Sequence, residues 1–237
     1  MTGMVLTGMV LTGTAPTGMV RSATTSRQSR PPEEPTMSEL AASTASPALP
    51  HPIGLVVTDD LRRSRLTVFF RWLLAIPQFI WLGLWAIAAE VVLVIAWFAA
   101  LITGRVPGGL HRFLAAFVIY STRVNAYLLL LSNPWPPFTS GGTYPVDATI
   151  EPAAPQSRLT VFFRILLAIP ALLLTYVFRL VNNIVMLLGW FYCLVTGRMH
   201  EGMRNISAWL LRYEVQTYGY IFLLTGRYPS LAGAPTV

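Results

Sequence analysis

The chain contains no lysine, and all 17 of its basic residues are arginine. Acidic residues number ten, leaving a formal net charge of +7, yet charged residues of both signs make up only 11% of the 237. A soluble globular domain carries about 25%, so this composition excludes a conventional water-facing surface. A single cysteine, Cys193 in "LLGWFYCLVTGR", excludes an internal disulfide. No HExxH, P-loop, GxSxG or paired-cysteine pattern occurs. The histidines His51, His111 and His200 are scattered, and "GRMHEGMR" gives His200 only Glu201 as a neighbour, short of a metal-binding set. We therefore expect no catalytic residue, no metal site and no cofactor.

What the chain does have is apolar sequence, 54% of its residues. The arginines flank or interrupt those apolar runs. They form no basic, aromatic-studded surface, which excludes nucleic acid as the expected partner. Positive flanks on hydrophobic segments suit anionic lipid headgroups instead.

The first 50 residues read differently. "MTGMVLTGMVLTGTAPTGMV" is low-complexity, lacks a basic lead and is broken by glycine, so it is a poor signal peptide. The following Ser-, Thr-, Pro- and Ala-rich stretch cannot bury enough apolar area to offset the ordering of its backbone. Residues 1–50 are expected to be disordered, as is the short tail 232–237. Met37 in "MSEL" is an alternative start, which would make 1–36 a start-site artefact.

"RLTVFFR" occurs twice, at Arg65–Arg71 and Arg158–Arg164, 93 residues apart. At that offset two more blocks fall into register without a gap: "AWFAALITGR" over "GWFYCLVTGR", and "YLLLLSNPWPPF" over "YIFLLTGRYPSL". The chain is a tandem duplication with units at 51–138 and 144–231, joined by a linker at 139–143. Each unit opens on an alternating segment, "IGLVVT" or "VDATIE", either a short strand or a simple lead-in. A long apolar run follows, Trp72–Ile102 or Ile165–Val195, and then a second helical segment, Phe113–Leu131 or Ile206–Leu224.

These runs imply an all-α integral membrane protein. A bilayer core of about 30 Å takes roughly 20 helical residues, so each run is long for one upright span. Pro77 and Pro170 are expected to break the helix, leaving residues 65–76 as an interfacial helix ahead of a tilted span from Gln78 to Ile102. The alternative is a hairpin turning at mid-run, near "LWAIAAEVV" or Asn182–Asn183 in the second unit. Two crossings per unit would give both units the same orientation. Arg65, Arg71, Arg105, Arg158, Arg164, Arg198 and Arg227, with Trp135 and Tyr228, are the expected headgroup anchors. In each "TGR", glycine is expected to end a helix.

Glu90 and Arg179 fall within the long apolar runs, and Arg123 and Glu214 within the second segments. Compared across the repeat, Glu90 lies over Asn183 and Arg123 over Gln216. Arg179 lies over Ala86 and Glu214 over Ser121. Charge appears and vanishes in opposite-sign pairs, as expected if losing one partner alone would strand the other. Pairs Glu90–Arg123 and Arg179–Glu214 follow, serving structure or transport; independent contact with headgroups or water is the other reading.

The blocks "RLTVFFRWLLAIP", "IAWFAALITGRVPGGL" and "YLLLLSNPWPPF" resemble the bacterial membrane-protein family called domain of unknown function 4389, here in two tandem copies. Trp97, Phe98, Thr103, Gly104, Arg105 and Pro107 match its second block in one unit. In the other, Trp190, Phe191, Thr196, Gly197 and Arg198 match; Val106 in the first unit and Met199 and His200 in the second depart from it. The resemblance implies residence in a bacterial inner (cytoplasmic) membrane and supplies no activity. The expected function is a non-enzymatic integral membrane protein, a multi-pass scaffold or accessory subunit of a membrane complex. Its expected partners are anionic membrane lipids, with a membrane protein or a second copy as a further possibility. The alternatives are a small transporter or channel component using the four charges, and a lipid-headgroup-binding protein or enzyme.

Overall fold

The computed structural model describes residues 51–233. The tail at 1–50, including the alternative start at Met37, and the final residues from 234 lie outside that range. The chain builds the same β-α-α-α unit twice. The first comprises β1 (Ile53–Val57), α1 (Arg65–Phe69), α2 (Arg71–Thr103) and α3 (Gly108–Leu128). The second comprises β2 (Val146–Ile150), α4 (Arg158–Phe162), α5 (Arg164–Thr196) and α6 (Glu201–Ile221).

The two lead-in segments are strands, and they pair with each other. β1 and β2 form an antiparallel two-stranded sheet in which Leu55 sits opposite Ala148. Those two residues are themselves counterparts at the 93-residue offset. A pseudo-two-fold axis therefore passes through that pair, perpendicular to the sheet. The alternation puts Ile53, Leu55, Val57, Val146 and Ala148 on the buried face. That face lies on α3 and α6, approaching so closely that a Cβ at Gly219 would meet Ile53 Cδ1 at 2.0 Å.

The apolar runs became α2 and α5, each of 33 residues. The expected breaks at Pro77 and Pro170 do not occur: both prolines lie inside continuous helices. A proline removes one backbone hydrogen bond, and the bonds on either side carry the helix through. The chain bends seven residues earlier, at Phe70 and Phe163, whose φ of −88° and −86° with ψ of 7° step out of the helix. The expected interfacial helix 65–76 is therefore only the five-residue α1. The mid-run hairpin is also absent, since α2 runs unbroken through Glu90 and α5 through Asn182. The second segments begin earlier than expected, right after the TGR turns.

Glycine ends both long helices as the TGR reading requires. Gly104 and Gly197 adopt φ of 74° and 72°, and their N–H groups donate to Ala100 and Cys193 carbonyls. Thr103 and Thr196 hydroxyls accept from the arginine N–H two residues on, both at 3.2 Å. The third TGR ends no helix. α6 stops at Ile221, and Leu223, with φ 61°, makes the left-handed turn, as Leu130 with φ 62° does after α3. A left-handed leucine is strained; the Leu130 carbonyl is held by Arg63 Nε and Nη2 at 2.9 and 2.7 Å, and that of Leu223 by Gln156 Nε2 at 2.8 Å.

The units interlock at their ends. Arg63 N–H donates to the Gly197 carbonyl at 2.9 Å, and Gln156 N–H to that of Gly104 at 3.0 Å. Trp190 Nε1 donates to the Val68 carbonyl at 2.9 Å, and Trp97 Nε1 to that of Val161 at 3.1 Å. Each short helix thus caps the far end of the other unit's long helix. The start of α2 lies by the end of α5, and the end of α2 by the start of α5. The two long helices run antiparallel, which replaces the expectation that both units share one orientation.

Candidate functional site

The long helices are built inside out. Their buried stripe is narrow and holds small or polar residues: Arg71, Ala75, Gln78, Ala89, Ala96 and Ala100 in α2, and Arg164, Ala168, Ala171, Thr175, Asn182, Gly189 and Cys193 in α5. Successive members lie three, four, seven or eleven residues apart, which keeps the stripe on one face. Nearly everything large points outward, from Trp72 and Leu73 through Ile80, Ile87, Val94 and Phe98 to Ile102, with a matching row along α5. In water this arrangement wastes apolar area. In lipid, where association rests on close packing of small residues and on hydrogen bonds, it is the expected one. Helices α2 and α5 are long and apolar enough, by length and composition, to cross a membrane, and as a tandem pair they support a membrane-embedded chain in general terms.

The inner helices reverse the pattern. From Ser207 to Tyr220 only Trp209 and Tyr218 are other than buried, although α6 carries Arg212, Glu214 and Gln216. A clamp fixes each inner helix at its C-terminal end. Arg71 is 2% exposed; its Nη1 donates to the Tyr127 carbonyl and, at 3.2 Å, to that of Ser132. Arg164, equally buried, donates to the carbonyls of Tyr220 at 2.6 Å and Thr225 at 3.2 Å. The guanidinium groups stack 4.3 and 4.5 Å from the ring centres of Tyr127 and Tyr220. Arginine serves here because the last carbonyls of a helix lack partners within it and carry the negative end of its dipole.

Arg71 and Arg164, expected as headgroup anchors, are thus internal clamps. The other arginines of that set, Arg65, Arg105, Arg158, Arg198 and Arg227, are exposed, as are Trp135 and Tyr228. Arg65 also donates to the Val195 carbonyl at 2.8 Å.

The four charges do not converge on one path. Arg179 and Glu214 come together, with Nε and Oε1 3.3 Å apart, although Oε1 accepts no aligned hydrogen bond. The expected pair Glu90–Arg123 does not form. Glu90 is exposed near the middle of α2, while Arg123 is 1% exposed and binds both carboxylate oxygens of Asp147, at 3.1 and 2.7 Å. It also donates to the carbonyls of Thr139, Gly141 and Gly142, fixing the linker between the units. The repeat register carried the signal: Asp147 lies over Gly54 just as Arg123 lies over Gln216. In the counterpart position Gln216 Nε2 donates to the Ile53 carbonyl beside Gly54, at 3.1 Å.

Burial pushes the Glu214 carboxyl above its ordinary range, with Arg179 opposing the shift. A carboxyl raised in the fold holds a proton that the unfolded chain has released. Stability is then greatest below the ordinary glutamate pKa and declines as pH rises towards the raised value. Glu214→Gln is expected to flatten that decline, read as denaturation midpoints in mild detergent from about pH 4 to pH 8. An undiminished decline in the variant would assign it to other groups.

Two polar clefts sit at opposite ends of the long helices. One, of about 820 Å³, is bordered by Asp60, Arg62, Arg198, His200 and Glu201. The other, of about 610 Å³, is bordered by Gln156, Ser157, Thr160, Arg164 and Arg227. Among the described residues no group of three His, Cys, Asp or Glu side chains could hold a metal.

A family model described as Domain of unknown function (DUF4389) matches the chain twice, at residues 65–140 and 158–232. No curated protein and no solved structure matches it.

Proposed function

This chain belongs to the DUF4389 family, carrying two tandem copies, and we propose that it is a non-enzymatic integral membrane protein acting as a scaffold or accessory subunit of a membrane complex. We place it in the bacterial cytoplasmic membrane, in contact with anionic lipid. The observation behind this reading is the inside-out construction of α2 and α5, whose outward faces are apolar along most of their length, interrupted near the middle by Glu90 in α2 and by Arg179 and Asn183 in α5. The buried polar groups support it as well. Arg71, Arg123 and Arg164 are engaged with backbone carbonyls, a carboxylate or a tyrosine ring, so they stabilise the fold and leave little for a reaction. The exposed arginines at both ends suit phosphate headgroups.

The test is fractionation of the full chain followed by gentle detergent extraction. The expected result is retention in the membrane pellet through an alkaline wash, then co-purification of a stoichiometric protein partner or of acidic phospholipid. Recovery as a monodisperse species from the aqueous fraction without detergent would overturn membrane residence. Turnover of added phospholipid by the purified protein would overturn the non-enzymatic part alone.

A further inference from the structure

Length and composition permit α2 and α5 to cross a bilayer, but they do not say how each helix meets lipid. We infer that both helices lie along a single anionic leaflet, side by side and antiparallel, with α3, α6 and the sheet on the aqueous side. This rests on the membrane residence proposed above and specifies the surface that meets the lipid.

Connectivity is the first ground. The chain leaves α3 beside Arg71, at one end of the long helices, and Gln156 rejoins the fold beside Gly104, at the other. Residues 132–155 must run the full distance between. Their only regular element is the five-residue strand β2, and Thr139, Gly141, Gly142, Thr143, Thr149 and Glu151 are exposed. If α2 and α5 crossed the bilayer, this polar, irregular segment would cross beside them in contact with lipid. The two-stranded sheet, with two open edges, would sit at mid-depth. A hydrocarbon interior tolerates neither, because their backbone groups would find no partners.

Symmetry accommodates this arrangement. Antiparallel helices related by a two-fold axis are perpendicular to that axis. The axis passes through Leu55 and Ala148, perpendicular to the sheet. Set along the membrane normal, it puts both helices in the membrane plane and the sheet parallel to the surface.

Length and charge agree. A helix of 33 residues is about 50 Å long, against about 30 Å of hydrocarbon, and large apolar residues point outward near both of its ends as well as between them. Exposed arginines stand at both ends: Arg62, Arg65 and Arg198 at one, Arg105, Arg112 and Arg158 at the other. A crossing pair would be expected to favour one side. Glu90 and Arg179, near mid-helix, would sit at the bilayer centre in a crossing helix, where charge is costly. Along a leaflet, mid-length is not depth, and a residue on the helix flank reaches the headgroups.

The experiment uses counterpart positions at the two ends. Arg112 and Asn205 are both exposed. In the full chain, with buried Cys193 changed to alanine, Arg112→Cys and Asn205→Cys are combined. The protein is reconstituted into sealed vesicles containing phosphatidylglycerol and treated with a membrane-impermeant maleimide. Intact-mass measurement should show chains bearing two labels or none, whatever the mixture of orientations, because both ends share one side. Chains bearing one label would mean crossing helices and would overturn the inference while leaving membrane residence standing. Failure to float with the vesicles would instead overturn the membrane reading beneath it. A second readout does not depend on those substitutions. Nitroxides placed singly at Ile80, Ile87 and Val94, all outward-facing, should report similar depths; a maximum at the middle position would again mean crossing.

Discussion

Arg71→Ala lowers the unfolding free energy by about 3–5 kcal/mol, the expected cost of losing two hydrogen bonds from a buried charged donor. Arg164→Ala has a similar effect. Each change takes the charged donor from two carbonyls at the end of an inner helix, leaving that of Tyr127 or Tyr220 only the N–H of Leu130 or Leu223, and removes the cation stacked on the tyrosine ring. Lysine rescues little, because an ammonium cannot spread over the ring while spanning both carbonyls as a planar fork does. Arg65→Ala is the matched control. Its side chain is exposed and makes one hydrogen bond to Val195, so a loss below about 1 kcal/mol is expected. Denaturation in mild detergent checks the set. Equal losses at Arg65 and Arg71 would mean that burial does not distinguish them.

The second large effect concerns Arg123. Arg123→Ala and Asp147→Ala should each cost about 3–5 kcal/mol, since each strands the other partner of a largely buried pair. The chain itself contains the remedy. Where one unit puts Arg123 against Asp147, the pseudo-symmetric place has Gln216 donating to the Ile53 carbonyl, with Gly54 in the position of the aspartate. Arg123→Gln with Asp147→Gly reproduces that second solution, and most of the loss in either single variant should be recovered. The recovery should stop short of complete, because Arg123 also holds the carbonyls of Thr139, Gly141 and Gly142. A double variant no better than the singles would show that the pairs are not equivalent.

Much of this fold can be read from the sequence, because apolar runs and an offset of 93 residues are strong signals. The long helices match those runs to within a residue at each end, and glycine ends them where the TGR motifs stand. The misreadings have physical causes. Pro77 looks like a break, but a long helix survives one missing hydrogen bond. Arg71 and Arg65 flank the same motif and look alike in sequence. Only the bend at Phe70 turns one inward to helix carbonyls and leaves the other outside. Glu90 was the nearest acid on a neighbouring helix, yet the acid that replaces Gly54 in the second unit was the informative one. The interlock is the least legible feature: a repeat shows which residues correspond, not whether counterparts pack within a unit or across it.

The pairing of Leu55 with its own counterpart Ala148 has a consequence for ancestry. A chain of half this length could build the same architecture by self-association, each subunit lending its short helix to the other. In such a homodimer any substitution strikes both equivalent places at once, so a charge can enter only if it suits both. Fusion into one polypeptide lifts that restriction. Arginine with aspartate in one half, and glutamine with glycine in the other, is the divergence a fused gene permits and a symmetric pair of subunits does not.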